Sequence, residues 1–377
     1  MEVGPVGLLP TSCSKTDNRT MTTGEKPTQS TGLPADPVVQ RNFYKEWVSS
    51  QGIPVVEDYF IEDVNSLELK PWVQKGGKGI FLNLIGTGDC NDAYICEIPP
   101  GKSLNAERHM YEEMIFILKG NGATTVWIDG SAKQTFEWQE GSLFSPPLNT
   151  WHQLHNGRGD APARFLAVTS APLVINLYHN LDFVFNNPFV FRDRYQTRTD
   201  FFSAEGRMYP ARIWESNFIP NAANFRLLEW KERGGRSSNV RFELAENTMG
   251  AHVSEFPVAT YKKAHRHGPG AHIIILSGKG YSLMWPDGAE KMRFDWKPGS
   301  MVVPPEMWWH QHFNPGTIPA RYLALRWGSK KYQFQLAQNE EMEKDRREGG
   351  HQIEYEDEDP EVKQWFEQAL ASNRAGG

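Results

Sequence analysis

Cysteine is scarce in this chain. Only Cys13, Cys90 and Cys96 are present, and they form neither a C-x-x-C pair nor an even disulfide framework, so a reducing compartment is expected. Long apolar runs are missing too, which excludes a helix that crosses a bilayer. The apolar residues 6–9 are too few for a secretory signal and have no basic leader. An excess of positive charge is also absent. With 40 basic against 46 acidic residues, the net charge is −6, which argues against nucleic acid as a partner. These absences point to the cytoplasm, away from membranes.

What is there is length and repetition. The 377 residues suffice for two domains with separate cores. Residues 1–40 are rich in Ser, Thr, Pro and Gly, and are expected to be a disordered tail. Phe43, Trp47 and Val48 then have roughly helical spacing.

From there an internal repeat governs the chain, at an offset of 158 residues. Residues 72–77 (WVQKGG) return as 230–235 (WKERGG), and 106–109 (AERH) return as 264–267 (AHRH). Gly120, Gly122, Trp127, Asp129, Gly130, Phe136 and Trp138 have counterparts at Gly278, Gly280, Trp285, Asp287, Gly288, Phe294 and Trp296. Gly141, Pro147, Trp151, His152 and Asn156 pair with Gly299, Pro305, Trp309, His310 and Asn314. A period this long marks a duplicated domain rather than a solenoid. Short strands broken by Gly, Pro, Asn and Asp, with hairpin signals at Asp129-Gly130 and Asp287-Gly288, predict closed antiparallel barrels or jelly rolls.

The expected division is a tail over 1–40, a first barrel over 41–175, a connection over 176–225, a second barrel over 226–330, and a charged tail with a closing helix over 331–377. Residues 178–220, rich in aromatics, read as an inter-domain cover or subunit contact. Asp359 and Pro360 read as the start of the closing helix, and the acidic run 354–359 as its solvated leader.

The chemistry concentrates in the second copy. His265 and His267, separated by one residue, share a face of an extended strand. They can grip one metal ion, with His310 as third ligand from a neighbouring strand. His312, two residues from His310, shares its face. His272 is one residue beyond the place a fourth ligand would need, so its side chain turns to the other face. Trp151 and Trp309 recur in both copies and read as core. Trp308, which replaces Thr150, is the candidate pocket wall. In the first copy Glu107 stands where His265 does, beside His109, Glu113 and His152. Two imidazoles and two carboxylates could hold Fe, Mn or Zn. The alternative is a barrel kept only for packing, with Glu107 paired to a base such as Arg108.

The two motif pairs over 72–167 and 230–325 resemble the cupin signatures, and the chain looks like a bicupin: all-β, with two tandem double-stranded β-helix (jelly-roll) barrels and short flanking helices. In cupins with a glutamate ligand, that residue lies seven positions before the closing glycine, and Gly278 points to Ala271 there. A three-histidine centre with W-H-x-H-x-N downstream is similar to gentisate and salicylate 1,2-dioxygenases, although those place it in the first barrel. The resemblance implies Fe(II) on His265, His267 and His310, with His312 behind them orienting substrate or oxygen, and O2 cleavage of a small hydroxylated aromatic acid. Histidine ligation also suits Zn, Cu or Ni, and Mn is a further candidate. A redox-neutral lyase, isomerase or decarboxylase is the second reading, and a non-catalytic binding or storage bicupin the third. A homo-oligomer is expected.

Overall fold

The computed structural model describes residues 40–375 except 88, 196 and 333–341. Residues 1–39 of the expected 1–40 tail, Cys13 included, lie outside the described residues.

Among the described residues, alternation of apolar side chains builds two large sheets and two small ones. The first barrel combines an eight-stranded sheet with a three-stranded one, and the second combines nine strands with four. In each large sheet the odd and even residues of a strand serve different cores, as period-two side chains must. On Glu113–Lys119, Ile115 and Ile117 point into the first barrel, while Met114 and Phe116 join a cluster shared with the second. On His272–Ser277, Ile273 and Ile275 point into the second barrel, while Ile274 joins the shared cluster. The two large sheets therefore pack back to back, and each small sheet closes its barrel on the outer side.

The hairpin signals fall where expected. Asn121–Trp127 pairs with Gln134–Gln139 and Gly280–Trp285 with Met292–Trp296, with Gly130 and Gly288 at positive φ between them. Gly122 and Gly280 repeat for a different reason. A Cβ there would collide with the neighbouring strand's carbonyl and with the ring of Trp138 or Trp296.

The repeat reaches further back than residue 72. Val55–Val56 runs parallel to Phe81–Leu82 in the first barrel, and Ile213–Ser216 runs parallel to the start of the second. Phe60–Ile61 then crosses over and pairs with Met301–Val302 of the second barrel, while Phe218–Ile219 pairs with Leu143–Phe144 of the first. Each copy thus donates a strand to the other. The stretch 176–225 is consequently more than a connection, and strands of the second large sheet already begin at Gly206–Tyr209. Two-residue strands carry too little alternation to be read from sequence.

Helices flank the barrels. Phe43–Ser50 packs beside Ala171–Tyr178, where the Tyr44 backbone N–H donates to Asn176 Oδ1 at 2.9 Å. Leu181–Asn186 follows, placing Phe185 against Tyr111 near the first candidate site. The closing helix spans Pro360–Ala375 and sets Phe366 on Phe313 and Tyr261 of the second barrel. Its acidic leader is not a free solvated run. Glu354 pairs with Lys263 at 2.5 Å, Asp359 with Lys291 at 2.7 Å, and Glu358 accepts from Gln311 at 3.2 Å. None of the helices among the described residues is long and apolar enough to cross a membrane.

Candidate metal centres

In the second barrel, His265 sits just before the strand His272–Ser277, and His310 lies on Trp309–Asn314. Their backbones exchange both hydrogen bonds, at 3.0 and 2.8 Å. This pairing fixes the two rings 4.1 Å apart, and His267, two residues on from His265, brings its ring to 4.9 Å from His310. The three offer ligand atoms that all lie within 4.8 Å of one another. The backbone also sets the tautomers. His267 Nδ1 meets the Gly268 carbonyl at 2.9 Å and His310 Nδ1 the Trp308 carbonyl at 3.1 Å. With the proton on Nδ1, each turns a lone pair on Nε2 toward the cluster. Burial first, and nearby positive charge second, push His265 and His267 well below the usual imidazole range, and His310 down to about 3. The three are thus neutral, as ligands must be.

His312 lies behind them, its ring 5.8 Å from His310 and 5.3 Å from Tyr322. Trp296 Nε1 donates to Ser282 Oγ at 3.0 Å, and His312 Nδ1 is 2.8 Å from the same hydroxyl. Indole can only donate, so the Ser282 hydroxyl accepts from Trp296 and anchors the His312 ring through Nδ1. The first barrel keeps the equivalent bond, Trp138 Nε1 to Thr124 Oγ1 at 3.0 Å, but has Leu154 in place of His312. Packing therefore does not require an imidazole there. Trp308 tilts against Tyr59, ring centres 5.6 Å apart, beside the barrel's interior cluster. His272 is fully buried outside the trio, and burial pushes it down to about 3. Trp309 is buried, but Trp151 is only half-buried. Each lies under a repeated arginine, Arg266 at 4.5 Å and Arg108 at 4.7 Å, which pairs with Asp287 or Asp129.

In the first barrel Glu107, His109, Glu113 and His152 form a second cluster, with ligand atoms again within 4.8 Å of one another. Glu107 and His152 exchange both backbone bonds, at 3.0 and 2.9 Å, as His265 and His310 do. His109 Nε2 and His152 Nε2 each stand 3.5 Å from Glu113 Oε2, and His152 Nε2 stands 3.5 Å from Glu107 Oε1. Metal–ligand bonds of about 2.0–2.2 Å place adjacent ligand atoms roughly 3.0–3.6 Å apart, so this spacing fits a cation at the centre. The tautomers fit as well. His109 Nδ1 meets the Tyr111 carbonyl at 2.8 Å and His152 Nδ1 the Thr150 carbonyl at 3.1 Å, so both Nε2 atoms face Glu113.

Arg108 does not pair with Glu107, because it faces outward to Asp129 at 3.1 Å. The partner is Lys75, only 3% exposed, whose Nζ bonds Glu107, lies 3.9 Å from Glu113 and donates to Tyr94 Oη at 2.7 Å. The Tyr94 hydroxyl in turn donates to Glu113. Burial would raise both carboxyls, but the ammonium outweighs it. Glu107 is held at about 2 and Glu113 well below the usual range. Lys75 has a signal in the sequence: the repeat aligns it with Arg233, a second buried base.

Residues 94–169 match the family described as Cupin domain. No curated protein matches. Among solved structures, the Lactobacillus farciminis oxalate decarboxylase, as its formate complex, is 13% identical, with 72% of this chain and 87% of that one covered and a TM-score of 0.48. A Bacillus subtilis oxalate decarboxylase, studied for its Mn(II) centres, is 14% identical over 74% and 80%, with a TM-score of 0.48. With a cupin-domain match across the first barrel and the same strand order in the second, the chain folds as two tandem cupin barrels.

Proposed function

We propose that this chain is a metal-dependent enzyme that holds its working cation on His265, His267 and His310 and cleaves a small hydroxylated, aromatic acid with O2. The observation that carries this reading is the neutral three-imidazole cluster with no carboxylate in it. Fe(II) bound there would keep its full charge and supply open positions for an anionic chelating acid and for O2. Mn, Zn, Ni and Cu also suit the donors. The chain's own contribution is orientation and proton handling. His312, anchored through Nδ1 by the Ser282 hydroxyl that Trp296 holds, is placed to orient substrate or oxygen, and Trp308 with Tyr59 walls the interior. The test is oxygen uptake by anaerobically Fe(II)-loaded protein across a panel of hydroxybenzoates and diketones. Uptake with at least one acid, lost in His267→Ala, is expected. No uptake by protein that holds iron on the trio would sink the reading.

A second reading rests on the first barrel. Glu107, His109, Glu113 and His152 would hold a cation, and the run from Lys75 through Tyr94 to Glu113 can pass a proton without any oxidant. This suits a redox-neutral lyase, isomerase or decarboxylase. Product formation under argon, abolished by His109→Ala, would favour it over the oxygenase.

A further inference from the structure

One buried charge has no part in the proposed reaction. The repeat sets Arg233 where the first barrel has Lys75. There the cation is answered by Glu107, Glu113 and Tyr94. At the same three places the second barrel has His265, Ala271 and His252. Both carboxylates and the phenol are gone, yet the cation stays. Arg233 is 1% exposed. Its Nη1 donates to Gln352 Oε1 at 3.3 Å, and its guanidinium lies 4.8 Å from the Trp230 ring centre. Nε and Nη2 are buried without a partner. Glu343, the acid whose charge reaches it, already accepts from Trp230 Nε1 at 3.0 Å and is shared with Arg212 and Arg241 at 3.9 and 3.8 Å.

Arg233 lies at the edge of the trio. Gln352 is bridged to His265 through the backbone, which brings its Arg233 partner to the same edge. Ala271 faces the barrel interior with Ile273 and Ile275. In the first barrel Glu113 is paired across the sheet with Thr169. The matching register, His272 with Leu325, carried one residue further sets Arg326 opposite Ala271. Tyr322 and Ala324 face the interior, so Arg326 shares their face. A buried guanidinium with unused donors is costly unless an anion meets it, and its planar fork matches a carboxylate.

We propose that the ligand's own carboxylate fills the place at Ala271 that Glu113 occupies in the first barrel, and that Arg233 holds it there. Arg233 is then a positioning and specificity residue, which makes the second barrel select acids over the matching amides. This rests on the reading that the trio holds a cation and works on an acid.

The test uses the full chain loaded with Zn(II), which is redox-silent, so that binding is separated from turnover. Acetate, oxalate, benzoate, 2-hydroxybenzoate and 2-hydroxybenzamide are titrated by calorimetry, with metal content measured for each variant. At least one acid is expected to bind more tightly than the amide. Arg233→Gln should weaken acid binding roughly 10- to 100-fold and leave the amide unchanged, and Arg233→Lys should recover part of the loss. Ala271→Glu, which restores a protein carboxylate, should keep the metal and lose the acid. Equal acid affinity in Arg233→Gln, loss of metal from that variant, or no binding of any acid by metal-replete protein would overturn the proposal. Acid binding that depends on Arg233, without oxygen uptake by the iron form, would leave this site standing and remove the oxygenase.

Discussion

Glu107 and His152 exchange both of their backbone hydrogen bonds, and the same pairing sets a carboxylate oxygen 3.5 Å from the imidazole Nε2. The second barrel repeats the backbone pairing with His265 and His310, where no carboxylate is present. The two clusters therefore share a scaffold and differ in charge, and they should respond differently to pH.

Burial lowers the His152 pKa, but Glu107 and Glu113 outweigh it and raise it to about 9. A cation must displace that proton. First-barrel affinity should therefore rise with pH, by about tenfold per unit between pH 6.5 and 9. The second-barrel imidazoles are already neutral there, so affinity at the trio should stay flat over the same range. In the metal-free protein the sign reverses. The His152 contribution to stability is fully present below pH 6.5 and is lost as pH rises through 9. Metal titrations of His109→Ala and His267→Ala at several pH values check both statements.

Removing one imidazole should empty one barrel and spare the other. His310→Ala is expected to weaken metal binding at the trio by at least about 100-fold, the order expected when one of three ligands is lost. His109→Ala should do the same to the first cluster. Elemental analysis of the two variants and the double variant reads this directly.

Lys75 and His152 together answer two buried carboxylates. Lys75→Met should destabilise the metal-free protein by about 3–5 kcal/mol, because it leaves Glu107 and Glu113 buried with one positive charge between them. A saturating divalent cation takes over that neutralisation, so the variant should gain more stability from metal than the parent does. Urea unfolding with and without Mn(II) measures the difference.

The back-to-back sheets share one apolar cluster that contains Leu166 and Leu323. Leu166→Ala and Leu323→Ala should each cost about 2–5 kcal/mol and shift one common unfolding transition. Two separable transitions in calorimetry would contradict this.

Much of this was legible in sequence. The repeat, the hairpin turns and the convergence of His265, His267 and His310 all follow from spacing, because a period of two leaves few places where three imidazoles can meet. His272 was readable for the same reason: one step along a strand reverses the face, and it points away from the trio. Arg108 was misread because adjacency in sequence was taken for contact. On a strand, the neighbour of an inward glutamate faces out, and Arg108 stacks on Trp151 instead. Lys75 lies 32 residues before Glu107, and only the tertiary fold joins them. The short strands at 60–61 and 218–219 were missed because two residues show no periodicity.

Those two strands carry a consequence for how the molecule can be divided. A cut near residue 200 would give fragments that each hold a piece of the other's wall. Either one alone would expose a greasy sheet face and an unfilled groove, and would clump. Made together, they would recognise one another through the missing pieces and knit back into a single particle.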